Sequence, residues 1–399
     1  MTQLLNDPTV DSVLLKLESF IERDSWRGWD PYDGLNSKFL NFFTFRRKWL
    51  RMAVIQSMKR SPVNLRPLFG ICKSRNPKAM GLLAWAYLMR YRQTENLEYL
   101  MKARNILDWL IANSAGYSGY AWGYNFDWQS LVFYLPRGIP TVVNTSFIAN
   151  AFLDAYEILK EKSYLDVARS SCDFILKDLN RTYLQSDISH LQSAICFSYS
   201  PLDKTCAHNA NLLAAELLAR VYTIIKEEEL KRCCNKAVEF TLMSQCSDGS
   251  WHYGLDASQR FVDSFHTGFV LVSLFNIMKY LEYADDSRFK LMLLKGYTYY
   301  RKTFFEDNGL PHYFHSKIYP IDLHCTAQGI ITFLKFRHYD TEAITYAQKL
   351  AQWAIENMWD DKKGYFYFQK TKHFINKTPY LRWPNVWMYY ALSLLSAES

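Results

Sequence analysis

The sequence predicts an all-α fold in which six helical hairpins close into a ring, an (α/α)6 toroid with short β pairs in its loops. Three observations carry the prediction. Polar residues recur at the heads of apolar helices, at Asn76, Asn144, His208, His266, His324 and Arg382, and the last four stand 58 residues apart. A period of that size holds two helices and two loops. Each apolar helix is followed by an amphipathic one, and strong strand signals are few. Helices that are apolar almost all round are buried, and those with one apolar stripe lie outside, so the alternation describes an inner and an outer ring. An open helical solenoid shares this spacing and differs only in whether the ends meet.

In chain order, residues 1–38 are expected to form an N-terminal extension packed on the ring, the whole chain (1–399) making one toroid domain. FLNFFTFRRKWLRMAVIQSMKR (39–60) is read as the twelfth helix, pairing the N-terminus with the last apolar helix. NPKAMGLLAWAYL opens the first inner helix at Asn76, and 99–113 is its amphipathic partner. VVNTSFIANAFLDAY follows at Asn144, paired with 163–179. CAHNANLLAAELLARVY begins at His208, paired with 229–245. SFHTGFVLVSLF carries His266, paired with 288–305, and DLHCTAQGIITF carries His324, paired with 341–358. RWPNVWMYYALSLL, with Arg382 and Trp383 at its head, is the sixth inner helix. Short aromatic stretches, SWHYG, PHYF and GYFYFQ, are read as small β pairs in the loops. If the inner helices run parallel, all six polar heads meet at one mouth and line a shared cavity.

Composition narrows the function classes. Aromatic residues make up 17% of the chain. Such rings line carbohydrate and isoprenoid sites, because they offer flat apolar faces and, in Tyr and Trp, a polar tip; they also simply fill cores. A formal charge of +8 favours anionic partners such as acidic sugars or sugar nucleotides. No RNP motif, zinc finger or long basic run is present, which sets nucleic acid aside. The longest apolar run, 268–278, is far short of a membrane-spanning helix. The eight Cys show no CxxC pattern and the first residues show no secretory leader, so a cytoplasmic protein with reduced thiols and neither metal nor cofactor is expected. A zinc site from Cys206, His208, His324 and Cys325 is the competing reading of those residues.

Two resemblances sharpen the expectation. KAVEFTLMSQCSDGSW (236–251) resembles the QW motif of squalene and oxidosqualene cyclases, with Lys236, Ala237, Phe240, Gln245, Gly249 and Trp251 in that pattern's places. The motif is structural in that family, its Gln and Trp tying an outer helix to the next inner one, and it implies the toroid. The cyclases' acidic DxDD motif is missing, and HCTAQ (324–328) places His324 where their DCTAE has the catalytic Asp. WGYNFDWQS (122–130), PRGIPTVVNTSFIANAFLDAYE (136–157), HNANLLAAELLARV (208–221), DGSWHYG (248–254), FVDSFHTGFVL (261–271) and YPIDLHCTAQ (319–328) are similar to VpsJ-like polysaccharide biosynthesis proteins. That resemblance implies a setting in the making of cell-surface polysaccharide and assigns no catalytic residue. The wider resemblance is to the six-hairpin superfamily, which includes sugar 2-epimerases, glucuronyl C5-epimerases, polysaccharide lyases and inverting glycosidases.

The candidate site follows from the heads. A His at a helix N-terminus meets the positive end of the dipole and tends to be neutral near pH 7. His208, His266 and His324 are therefore candidates for moving a proton at a sugar carbon, as the paired His of the 2-epimerases do in this kind of toroid. Each could also cap or pack its helix end. Asp263 and Asp322 stand just ahead of His266 and His324, to orient the imidazoles, to cap the helices, or to serve as acid and base of an inverting glycosidase. Arg137, Asn144, Asn209, Asn211, Tyr253 and Arg382 are candidates for sugar hydroxyls or a carboxylate. Trp122, Trp128 and Trp383 are candidates for a stacking wall. The expected function is proton transfer on a carbohydrate by an epimerase or lyase. The alternatives are an inverting glycoside hydrolase and a non-catalytic glycan-binding or assembly component.

Overall fold

The structure, a computed structural model, describes residues 9–184, 194–283 and 286–398. Its helices alternate as the sequence implies. α1 (Val10–Glu22) is followed by the short α2 (Lys38–Phe42) and by α3 (Lys48–Arg60). Inner α4 (Pro77–Thr94) leads to outer α5 (Leu97–Ala112), α6 (Val142–Leu159) to α7 (Lys162–Asp173), and α8 (His208–Ile225) to α9 (Glu228–Met243). Next come α10 (Ser264–Tyr280) with α11 (Ser287–Phe304), and α12 (Leu323–Phe336) with α13 (Ala343–Met358). α14 (Trp387–Ser396) follows a π-helical stretch, Leu381–Val386, that contains Pro384.

Each inner helix packs on the next, and α14 packs back on α4, so the ring is closed. Gln93 Nε2 donates to the Ser393 carbonyl at 2.8 Å across the closure, and Trp85 lies against Tyr390. The first three inner helices end the same way. Glu95, Lys160 and Lys226 adopt the left-handed conformation, each with its N–H bonded to a carbonyl four residues back. This C-terminal cap turns the chain in two residues into the outer helix.

The sequence reading placed the twelfth helix at 39–60. The element packed on α14 is instead α1. Its stripe of Val13, Leu14, Leu17 and Ile21 is buried, at three- and four-residue spacing. On the same face Glu18 accepts from Tyr99 Oη (3.2 Å), Tyr389 Oη (2.9 Å) and Lys102 Nζ (2.9 Å). The 39–60 segment is apolar by composition but not by period. α3 buries only Ile55 and Met58, and it packs on the turn at Asp33–Asn36 and on Trp128–Gln129.

The loops carry antiparallel pairs: 128–129 with 134–135, 181–184 with 194–197, 359–360 with 365–366, and a three-stranded sheet of 321–322, 369–370 and 375–376. GYFYFQ supplies two of these strands. SWHYG and PHYF make only isolated bridges, at Gly254 to Ala207 and at Pro311 and Phe314. The pair at 181–184 and 194–197 was not anticipated. The QW-like segment has a structural role, though toward a different helix from the one expected. Gln245 Nε2 donates to the Gly249 and Met292 carbonyls, and Trp251 packs on Gly296, so the tie runs from α9 to the next outer helix, α11. Gly249 has φ of +97°, and an added Cβ would sit 2.7 Å from the Lys295 carbonyl oxygen.

If α1 closes the ring, Leu17→Ala should destabilise the protein by about 2–5 kcal/mol, the range for a truncated core leucine. Trp49→Ala on the exposed side of α3 should stay within about 0.5 kcal/mol. Denaturant midpoints of the two variants check the ranking, and the reverse order would overturn the assignment of α1.

Candidate functional site

One cavity of about 490 Å³ opens at the heads of the inner helices. All six contribute to its wall: Lys78 from α4, Val143 from α6, Asn209 from α8, His266 and Phe269 from α10, His324 from α12, and Arg382 with Trp383 ahead of α14. The common mouth expected from the sequence is therefore present.

His266 and Asp263 form its most organised pair. Asp263 is 2% exposed and caps α10, its Oδ1 accepting from the His266 N–H at 2.9 Å. Its Oδ2 lies 2.7 Å from His266 Nδ1. A carboxylate on Nδ1 holds the proton there and leaves Nε2 as the basic nitrogen. Nε2 makes no hydrogen bond among the described residues. Tyr253 packs on the imidazole at 4.5 Å and is itself stacked on Phe261. Burial and the nearby Asp263 push the Tyr253 phenol well up, so it is a proton-bearing donor at neutral pH.

His324 lies deeper, stacked between Phe265 and Trp387 at 4.6 and 4.7 Å, with Trp383 edge-on. Burial, with Lys78 and Arg382 nearby, holds its pKa well below the usual imidazole value. Among the described residues neither ring nitrogen has a partner, an uncommon state for a buried imidazole. The ring of Phe265 touches both His266 and His324. Arg382 is buried, with Nε and one Nη on Asp30 at 2.6 and 2.9 Å, and its other Nη makes no hydrogen bond among the described residues. Trp128 meets Tyr32, Tyr124 and Phe133 edge-on, and Tyr124 and Tyr199 share a hydrogen bond of 2.7 Å. Asn209 lines the cavity, and its Oδ1 has no partner among the described residues.

The remaining sequence candidates lie elsewhere. His208 is turned to the outer ring, 3.4 Å from Thr241 Oγ1 and against Phe240, and it shares with His266 only a void of about 10 Å³. The cause is helical phase. His208 is the first residue of α8, His266 the third of α10 and His324 the second of α12, and each step turns a side chain by about 100°. Asp322 is fully buried, and its carboxylate holds the His324 N–H, Trp383 Nε1 and Gln369 Nε2 at 2.9, 2.9 and 3.0 Å. It caps α12 and aims Trp383 at the cavity. Asp263 is thus the single carboxylate among the described residues of the wall, and the pair an inverting glycosidase requires is not brought together. Asn211 ties Phe197 to α9 through Ala237. Trp122 is a core ring whose Nε1 donates to Leu110. Asn144 is buried off the cavity, and neither side-chain polar atom has a partner among the described residues. Arg137 is exposed, with its backbone N–H on Asp127 Oδ1 at 2.8 Å and no side-chain hydrogen bond among the described residues. Among the described residues no cluster of three or more His, Cys, Asp or Glu fits a metal, and Cys206 and Cys325 do not reach the cavity.

Lys78 escaped the sequence reading. It sits in the first turn of α4, 3% exposed, with Nζ over the rings of Phe147, Trp387 and Phe269 at 4.5, 5.3 and 5.4 Å. Nζ makes no hydrogen bond among the described residues. Burial and Arg382 push its pKa well down, with Asp30 opposing. The signal was visible in NPKAMG: a cation near the head of an apolar helix opposes the dipole and needs a reason.

No protein-family model and no curated protein sequence matches the chain. Solved structures do. Cellobiose 2-epimerase from Bacillus thermoamylovorans is similar with a TM-score of 0.62 at 14% identity, over 81% of this chain and 88% of that one. The GH76 α-mannanase of Bacteroides thetaiotaomicron gives 0.59 at 13%, over 82% and 87%. A possible member of the GH105 family from Salmonella enterica gives 0.62 at 10%, over 100% and 95%. At these identities the likeness establishes the (α/α)6 toroid fold, shared by enzymes of different chemistry.

The buried imidazoles set an acid sensitivity. Burial lowers the pKa of His208 to about 4. Its stabilising effect is complete above the unfolded value near 6.5 and is lost as pH falls toward 4, because only the unfolded chain takes up the proton. Asp322, pushed up to about 6 by burial, works the other way over the same range. His208→Gln should therefore reduce the stability lost between pH 7 and pH 5 by about 2 kcal/mol relative to the parent. Unfolding curves at the two pH values check this, and an unchanged pH dependence would contradict it.

Proposed function

We propose that the protein acts on carbohydrate by moving a proton at a sugar carbon, as an epimerase or lyase does. The observation that carries the reading is the His266–Asp263 pair on the wall of a cavity ringed with Tyr and Trp. With Nδ1–H on Asp263, Nε2 accepts a proton from a carbon beside a carbonyl or carboxylate. The electron pair of that C–H bond moves toward the oxygen, where Lys78 and the free Nη of Arg382 face the developing charge. Return of a proton to the other face inverts the carbon. Departure of the oxygen on the next carbon instead gives an unsaturated sugar. The Tyr253 phenol supplies a proton for either outcome.

An acidic sugar or a sugar nucleotide would bring the counter-charge that the buried Lys78 amine lacks, beside the Asp30-paired Arg382. The setting in polysaccharide biosynthesis rests on the sequence resemblance, and a cytoplasmic location is supported by eight unpaired cysteines. The chemistry draws on side chains alone. A glycan-binding role without turnover is the second reading, favoured by the aromatic wall of Trp128, Trp383 and Tyr253.

Incubation with sugar nucleotides and acidic oligosaccharides in D₂O should introduce deuterium at one sugar carbon, read by NMR. His266→Ala should lower that rate by about 100-fold or more, the scale for a lost general acid or base, with little change in melting temperature. Full activity with a lowered melting temperature would overturn the catalytic assignment. Binding without exchange, weakened by Trp128→Ala, would select the glycan-binding role.

Lys78 tests the anion site. Its amine is disfavoured as a cation in the fold, so stability is lost as pH falls below the unfolded value near 10.4. Lys78→Met should therefore raise the melting temperature at pH 7, while weakening acidic ligands about 10-fold or more. A variant that is both less stable and equally good at binding would contradict this role.

A further inference from the structure

Beside the mouth lies a surface that the proposed chemistry does not use. Between Gly34 and Thr94 the chain contains no Asp or Glu, and Lys38, Arg46, Arg47, Lys48 and Arg51 fall within fourteen residues. Interleaved with them are Phe39, Phe42, Phe43, Phe45 and Trp49, exposed at 60, 71, 52, 65 and 68%. This is the segment read from sequence as an outer helix, and the structure leaves its aromatic rings outside the ring of helices.

The phenylalanines touch chiefly one another, with Phe39–Phe43, Phe42–Phe43 and Phe42–Phe45 centroids at 4.9, 5.4 and 6.4 Å. Phe39 also stacks on Phe69, whose neighbour Leu68 is 78% exposed. The turn between α2 and α3 holds both Phe45 and Arg46 at positive φ, 46° and 57°. Two consecutive non-glycine residues in that region are unfavourable. Arg46, Arg47 and Lys48 make no salt bridge among the described residues, so their charge is unspent. A contiguous exposed aromatic patch on a folded protein marks an interaction surface.

We propose that this face docks on an anionic lipid bilayer. The argument is charge complementarity joined to the shape of the patch. Phe and Trp enter the boundary between headgroups and acyl chains, while Arg and Lys keep their charges at the level of the lipid phosphates. Met52, Gln56 and Arg60 of α3 line the cavity, so docking sets the mouth beside the membrane surface. The proposal does not depend on the chemistry assigned to His266. No helix among the described residues is long and apolar enough to cross a membrane, so the attachment is peripheral.

The test is flotation of the full chain with vesicles of phosphatidylcholine, with and without about 30% phosphatidylglycerol. Binding to the anionic vesicles should be at least about 10-fold stronger and should fall about 10-fold in 0.5 M NaCl. The combined change Phe42→Ser, Phe45→Ser and Trp49→Ser should reduce it about 10-fold or more with an unchanged melting temperature. Should that variant fail to fold, the lipid and salt dependence of the parent chain decides alone. Absence of flotation, equal binding to both vesicle types, or full binding by the folded variant would overturn the proposal. So would a dimer that the three substitutions dissolve while vesicles go unbound, since the face would then be an interface between copies of the chain.

Discussion

A closed ring of parallel inner helices leaves a hole along its axis, and the filling of that hole governs the rest of this molecule. Phe147 of α6, Phe269 of α10 and Trp387 of α14 meet there, with ring centroids 5.3–5.6 Å apart in each pair. Three rings from alternate inner helices seal the axis in one layer. On one side lies a void of about 40 Å³, and on the other the large cavity at the helix heads. The plug turns a channel into a pocket with a floor, and a pocket with a floor can exclude water from a reacting group.

The floor explains the electrostatics above it. Lys78 projects over all three rings, which offer it the negative faces of their π systems but no hydrogen-bond acceptor. Arg382 beside it is neutralised by Asp30, which belongs to the N-terminal segment rather than to any hairpin. A residue of the segment that follows α1 thus holds a charge at the head of the last inner helix. The aromatic floor, the buried Lys78 amine and the His324 nitrogens, without partners among the described residues, make a site costly to keep without a ligand, the usual mark of a surface kept for binding or chemistry.

The far end of the inner helices is arranged differently. Glu216 of α8 holds Ser273 and Asn276 of α10 at 2.7 Å, and Arg220 reaches Asp154, Glu157 and Asn150 of α6. There Glu216 and Arg220 have partners across helix–helix contacts, and these polar groups serve assembly. Lys78, Asn209, His266, His324 and Arg382 at the heads face the cavity, whereas Glu216 and Arg220 at the tails clamp neighbouring helices. The same residue types carry different roles at the two ends.

The sequence by itself determined the number of hairpins, which helices are inner, and that their heads meet, because burial writes itself into periodicity along a single helix. It also marked His266 with Asp263, since a cap and its imidazole lie three residues apart. Composition did not tell α1 from 39–60 as the closing helix, because both are apolar; the stripe of Val13, Leu14, Leu17 and Ile21 was legible in the sequence, and packing shows that it finds α14. Helical phase at the heads was likewise decided in three dimensions. A 58-residue step repeats the sequence, but loops of unequal length start each helix at a different residue, so His208 turns outward while Asn209 turns in. Asp322 and Asp263 look alike in sequence, yet the fold spends one carboxylate wholly on three donors and leaves the other at a cavity wall. Lys78 became a site residue only when four inner helices brought it over the rings of three others' side chains, a contact that no local spacing records.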